Sequence, residues 1–186
     1  MIKISDDYTF KDASLYSLKL MQLSKLLWRA VEKDWEQWVK PYGLNINEHH
    51  ILCIANNLPN VCITELAEVG AMHITTAFNF SKRLEQKGYL QIFKNKLKKK
   101  NTYIKLTEKG EKLLINILRN YNPYEKSLYI GSLPLRELNG KFPDFTELLI
   151  LIRNIYGEDF ITLINNSLIN IEKVLIEQDK NIQKEN

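Results

Sequence analysis

Ile74-Thr-Thr-Ala-Phe-Asn-Phe-Ser-Lys-Arg-Leu-Glu-Gln-Lys87 is the stretch on which the reading of this chain turns. Ile74, Ala77, Phe80 and Leu84 recur at three- and four-residue spacing, which makes one stripe of a helix apolar. Thr75, Thr76, Asn79, Lys82 and Arg83 fall on the other side, and Phe78 points outward with them. The pattern predicts a helix that packs on one face and offers hydrogen-bonding groups on the other. Gly88 stops it, because a residue without a Cβ takes the left-handed conformation after the last turn. A short helix over residues 63–69, ended by Gly70, precedes it.

Working outward, Tyr89-Leu-Gln-Ile-Phe93 and Thr102-Tyr-Ile-Lys-Leu106 alternate as half-buried strands do. They bracket Lys94-Asn-Lys-Leu-Lys-Lys-Lys-Asn101, where five of eight residues are lysine. Helix, turn, helix and a hairpin with a cationic tip is the order of a winged helix-turn-helix. In that arrangement the second helix enters the major groove of double-stranded DNA and the hairpin reaches toward the adjacent backbone. A lysine run alone is usually a solvated loop, and its place at a hairpin tip is what singles it out.

The charge distribution agrees. The 186 residues carry a net charge of +4, but residues 61–110 hold ten Lys/Arg against four Asp/Glu, leaving that segment +6 and the flanks −2. Concentrated positive charge is the footprint of a phosphate-binding surface. Hydrophobic and charged fractions of 45% and 26% are those of a soluble globular protein. No apolar run approaches membrane-spanning length and the amino terminus has no basic-then-apolar leader, so a cytoplasmic location without membrane contact is expected. Two cysteines, Cys53 and Cys62, are too few for a disulfide framework.

On the amino-terminal side, residues 12–40 read as one long helix, with Leu20, Leu23, Leu27, Val31, Trp35 and Trp38 at helical steps and Pro41 and Gly43 ending it. Leu18, Leu26, Trp28 and Val39 widen the apolar surface beyond what one neighbour needs, which points to a second subunit. Asn45-Ile-Asn-Glu48 is a reciprocal cap opening a helix over residues 46–57. Cys62-Ile-Thr-Glu65 has the same spacing, but a thiol is a weak acceptor and a poor cap. Thr107 begins a helix to about Asn120. From 121 to 143, Pro123, Gly131, Pro134, Gly140 and Pro143 interrupt any long regular element, and Tyr121, Tyr124, Tyr129 and Phe142 mark a packed connection rather than a free linker. From Asp144 the chain is helical again, with a break at Gly157 and a polar tail over 179–186. The expected organisation is mainly α: a winged helix-turn-helix over 44–106, and a helical dimerisation region from 12–40 and 107–178.

Leu44-Asn-Ile-Asn-Glu-His-His-Ile-Leu52, Glu65-Leu-Ala67, Arg83-Leu-Glu-Gln-Lys-Gly-Tyr-Leu90 and Leu106-Thr-Glu-Lys-Gly110, in this order, resemble the MarR family of winged-helix transcription regulators. Within it the likeness is closer to the Hpr branch, repressors of extracellular protease production and sporulation. The Trp-rich 30–42, the 45–51 segment, Met72-His-Ile-Thr-Thr-Ala-Phe-Asn-Phe-Ser81 and Asn101-Thr-Tyr103 carry it. The similarity covers about residues 11–175, and the Met72 to Ser81 block is its most specific part. It implies a homodimer with intertwined terminal helices and one recognition helix and one wing per subunit, acting on a pseudo-palindromic operator. Base reading is then expected from Thr75, Thr76, Phe78 and Asn79. Phosphate contacts are expected from His73, Lys82, Arg83, Lys94, Lys96, Lys98, Lys99 and Lys100. Many members carry Asp-x-Arg in the wing; here those positions are Lys98 and Lys100, which suits phosphate contact rather than minor-groove reading.

Other readings stay open. His49 and Cys53, four apart on one helix, have a spacing compatible with metal ligation, but two ligands do not make a site and no metal is assigned. A thiol sensor at Cys53 or Cys62, or a small-molecule pocket at Trp28, Trp35 and Trp38, would make a ligand- or redox-responsive regulator of other genes, with the effector unknown. No nucleophile motif, phosphate-cradling loop or cofactor-binding motif stands out, so an enzyme is the weak alternative. A helical adaptor with a vestigial wing is another. Salt-dependent DNA binding separates these classes.

Overall fold

The computed structural model describes residues 9–94 and 101–185, with side chains as far as Ile176. Helix α1, Phe10–Val39, starts two residues before the expected point because Thr9 and Asp12 form a reciprocal cap: Thr9 Oγ1 accepts from the Asp12 N–H at 3.2 Å, and Asp12 Oδ2 accepts from the Thr9 N–H at 3.3 Å. Pro41 turns the chain into a 3-10 turn, Lys40–Tyr42, closed by Gly43 at φ +67°. Only the last turns of α1 are seated in the chain's own core. Leu15, Leu18, Met21, Leu23, Leu26 and Leu27 are each more than half exposed.

The central domain follows in the expected order: α2, Ile46–Asn57; β1, Val61–Cys62; α3, Ile63–Val69; α4, Ile74–Gln86; β2, Leu90–Lys94; β3, Thr102–Leu106; and α5, Glu108–Arg119. The Asn45–Glu48 cap forms in both directions, at 2.8 and 3.1 Å, and Cys62 makes no side-chain cap. The three-stranded antiparallel sheet has the order β1-β3-β2, with Leu90 opposite Leu106 and Lys94 opposite Thr102 in the hairpin, and Val61 opposite Ile104 at the short outer strand. Ile51, Leu52, Leu66, Ala77, Leu84, Ile104 and Ile117 close the core between α2, α3, α4, the sheet and α5.

The seated face of α4 is rotated from the expected stripe. Ala77, Ser81 and Leu84 are buried, whereas Ile74 is 51% exposed, because the first turn of α4 projects past the core. Phe78 is half-buried and packs against the core instead of pointing freely outward. Ser81 is fully buried and its Oγ has no hydrogen-bond partner among the described residues. An unsatisfied buried hydroxyl is unfavourable, so Ser81→Ala is expected to stabilise the fold by about 1 kcal/mol. Thermal melting should show a rise of about 2–4 °C, and a fall would mean the hydroxyl is bonded in solution.

The carboxy-terminal part differs most from expectation. Residues 121–143 contain a 3-10 turn, Pro123–Glu125, and a regular 13-residue helix, α6, Ser127–Asn139, that keeps Pro134 inside it. Its start is capped from another helix: Asp34 of α1 accepts from the Leu128 N–H at 3.0 Å and from the Ser127 hydroxyl at 2.8 Å. Burial pushes the Asp34 carboxyl up, but these hydrogen bonds, with the Ser127 N–H and the Lys126 ammonium beside it, outweigh that and hold it below the usual carboxylate range. The aromatics do pack, Tyr129 meeting Tyr124 at 5.4 Å and Phe142 at 5.8 Å between centroids. Helix α7, Thr146–Tyr156, breaks at Gly157, φ +94°, before α8, Glu158–Glu185, which packs on α5 and α2 and runs on through the stretch read as a polar tail. No helix among the described residues is long and apolar enough to cross a membrane.

Candidate nucleic-acid interface

The turn that feeds α4 has little freedom. A Cβ on Gly70 would lie 2.8 Å from the Leu66 carbonyl oxygen, and Ala71 follows at φ +48°. His73 then caps α4, its Nδ1 accepting from the Thr75 N–H at 3.2 Å. That bond engages Nδ1 of a ring that is otherwise exposed.

At its far end α4 is tied on several sides. Gly88 stands at φ +78°, the Lys87 carbonyl accepts from Lys109 Nζ at 2.7 Å, and the Gly88 carbonyl accepts from the Thr107 hydroxyl at 2.7 Å. Glu85 Oε1 accepts from the Ile92 N–H at 2.7 Å, joining α4 to the hairpin. Lys87 Nζ reaches back to the Gly43 carbonyl at 2.9 Å and to the Glu48 carboxylate at 3.2 Å. A helix fixed at both ends presents its middle as a rigid surface.

That surface carries the residues singled out in the sequence. Thr75, Asn79, Lys82 and Arg83 are exposed, and Thr76 is half-buried. The Lys82 ammonium lies 4.8 Å from the Phe78 ring centroid, and the Arg83 guanidinium 5.5 Å from that of Phe80. Arg83 Nε also points at Glu48 Oε1, 3.4 Å away, a contact that the sequence did not suggest. Thr75 and Phe78 border a groove of about 340 Å³ whose other walls include Thr64 at the start of α3 and Thr102 of β3. Lys94 is exposed at the end of β2, and Phe93 stacks on Tyr103 at 5.8 Å across the hairpin. Lys96, Lys98, Lys99 and Lys100 lie outside the described residues.

A second feature lies behind the winged domain. A cavity of about 420 Å³ is bounded by Trp35, Trp38, His49, Cys53, Leu114 and Asn170, bringing α1, α2, α5 and α8 together. Two of the three tryptophans named for a pocket line it, whereas Trp28 is exposed on α1 and is not part of its wall. Trp35 Nε1 donates to His49 Nδ1 at 3.0 Å, and burial pushes His49 down to about 4 with His50 adding to the fall. Burial pushes the Cys53 thiol up to about 12, so it holds its proton, with its Sγ 3.7 Å from His49 Nδ1. No group of three or more potential metal ligands occurs among the described residues. Polar contacts bridge α2 and α8 at the cavity edge: Asn170 Nδ2 donates to Asn57 Oδ1 at 2.8 Å, and Asn57 Nδ2 to Ser167 Oγ at 3.3 Å.

Comparison with known proteins places this geometry. Residues 44–100 match the model of the MarR family. The chain is 53% identical to the HTH-type transcriptional regulator Hpr of Bacillus cytotoxicus, over 96% of each chain. Among solved structures it resembles the transcriptional regulator SlyA, with TM-score 0.58, 22% identity and coverage of 77% of this chain and 98% of that one. It also resembles a mutant MarR of E. coli complexed with operator DNA, with TM-score 0.52, 17% identity and coverage of 74% and 96%. At these identities the solved structures speak for the fold.

Proposed function

The chain belongs to the MarR family of DNA-binding transcription regulators, and from that premise we propose that it acts as a homodimer on a pseudo-palindromic operator, repressing genes of extracellular protease production and sporulation. The observation that carries the DNA-reading surface is α4 itself: an exposed polar face on a helix held at both ends. Thr75, Thr76 and Asn79 read bases, and Phe78, half-buried at the edge of the groove, offers its ring edge to a thymine methyl. Lys82, Arg83, Lys94, Lys96, Lys98, Lys99 and Lys100 hold phosphates. His73 joins them through its ring, while its Nδ1 serves the helix cap.

Dimerisation is assigned to residues 12–40 and 107–178, and DNA binding to 44–106. The apolar side chains left exposed along α1 and on α8, where Leu168, Ile169 and Ile176 stand out, support a second copy lying across both. The gene class rests on the likeness of the Met72 to Ser81 block to repressors of that branch. The site of action is the cytoplasm, where the DNA is.

Footprinting of genomic fragments bound by the full chain tests this, with sedimentation of the same sample at micromolar concentration. Paired half-sites spaced by about 10 base pairs are expected, since a two-fold protein sets its reading helices in successive major grooves. Protected sites should lie upstream of secreted-protease and sporulation genes. A monomer, or footprints without symmetry, would overturn the dimeric reading. A protein that binds no fragment at any salt concentration would favour the helical adaptor.

A further inference from the structure

Glu48 has more partners than a helix cap requires. One carboxylate oxygen suffices to accept from the Asn45 N–H, and a glutamate at that position of a helix is ordinarily solvated. Here Glu48 is 1% exposed. Oε2 accepts from the Asn45 N–H at 3.1 Å and from Lys87 Nζ at 3.3 Å, and Oε1 from Lys87 Nζ at 3.2 Å and faces Arg83 Nε at 3.4 Å. Both cations come from the end of α4, Arg83 in its last turn and Lys87 just beyond it. Burying a carboxylate is costly, and its pairing at best offsets that cost, so net stability is a poor account of an ion cluster of this kind.

We propose that Glu48 is a positioning residue for DNA recognition, its buried carboxylate setting the angle of α4 against α2 through Lys87 and aiming the guanidinium of Arg83 outward. Rigidity comes from α2: the oxygen is fixed by the Asn45 cap, so it gives α4 a stationary reference. The ion pair is made by Nε of Arg83 at 3.4 Å, and the arginine side chain stays 56% exposed. A guanidinium held at Nε presents a planar pair of donors, which is the geometry a phosphate takes best. This inference rests on α4 being the DNA-reading helix.

Glu48→Gln gives the test, because glutamine keeps the cap acceptor and the shape but removes the charge. Removing a negative charge beside a DNA-binding face would by itself tighten binding to any duplex. Positioning predicts the opposite sign. Affinity should be titrated on a duplex selected by the wild-type protein from genomic fragments and on a random-sequence duplex, at several salt concentrations, with thermal melting alongside.

The expected result is a loss of about ten- to a hundredfold on the selected duplex and a smaller loss on the random one. The salt slope should also fall in magnitude by about 0.9 per subunit as the Arg83 phosphate contact is lost. In an Arg83→Gln background the further cost of Glu48→Gln should shrink, since one residue acts partly through the other. Should Glu48→Gln melt below the assay temperature, Glu48→Asp, which keeps the charge but cannot span both cations, must show the same selective loss. Equal or tighter binding by either folded variant, with wild type binding normally, would overturn the role of Glu48 alone. A wild-type protein that selects no fragment would overturn this inference together with the reading of α4.

Discussion

On the proposed dimeric reading, Asn79→Ala is expected to leave fold and assembly unchanged and to lose about 1–3 kcal/mol of operator affinity per half-site, twice that over two half-sites. The side chain stands exposed in the middle of α4, away from the buried Ala77, Ser81 and Leu84, so its truncation leaves no cavity. Its amide can donate and accept at one base edge, the pairing that singles out adenine. Binding to random duplex should be nearly unchanged, because phosphate contacts supply most of the non-specific affinity. Two titrations at one fixed salt concentration, on operator and scrambled duplex, measure the difference. Equal losses on both would show that Asn79 only positions the backbone, and base reading would then fall to Thr75, Thr76 or Phe78.

Acidification from pH 6.5 to pH 4 should cost the fold about 3 kcal/mol through His49. In the native state burial holds His49 down to about 4, while in the unfolded chain it titrates near the ordinary 6.5. Between those values the unfolded state binds the extra proton, so stability rises with pH across the window. It is complete above it, and this contribution is fully lost once pH falls through the folded value. The physical cause is visible: Nδ1 accepts from Trp35 and the ring packs 4.8 Å from that of Trp38, so a proton on Nδ1 would set two donors against each other in an apolar wall. Burial lowers His50 as well and adds in the same direction. Asp34, held low, adds a loss of its own as pH falls through the ordinary carboxylate value toward its folded one, which touches only the lower edge of this window. Urea unfolding at pH 7 and pH 4.5 measures the effect, and His49→Gln should flatten it. A variant as acid-sensitive as the wild type would move the cause elsewhere.

What was legible in the sequence was what neighbours in sequence decide. The Asn45 cap, the helix over 46–57, the helix opening at Ile74, the stop at Gly88 and the two strands of the hairpin are set by near neighbours in sequence, and each stands within about a residue of where periodicity and capping placed it. Elements that depend on distant partners were not visible. The two-residue β1 exists only through its pairing with β3, and α6, which keeps Pro134 inside it, is capped by a carboxylate from α1. Ile74 looked like the top of the apolar stripe, yet a stripe cannot tell which turn overshoots the core beneath it. In the candidate site, the exposed face of Thr75, Asn79, Lys82 and Arg83 could be read from helical spacing alone. The Glu48 cluster could not, since its capping motif fully accounts for that glutamate in sequence, and its cations lie 35 and 39 positions further along.

The carboxylate that α1 lends to α6 also bears on how the molecule opens. A helix whose first turn is capped by its own preceding residue can fray and reform alone, but α6 begins on a residue carried by another segment. When the last third of α1 lifts off, α6 loses its cap while Pro134 still denies it a hydrogen bond, so the two should melt as one cooperative unit. Native-state amide exchange would then record a shared opening free energy for backbone groups of α1 around Asp34 and of α6 around Ile130, although nearly a hundred residues of chain separate them.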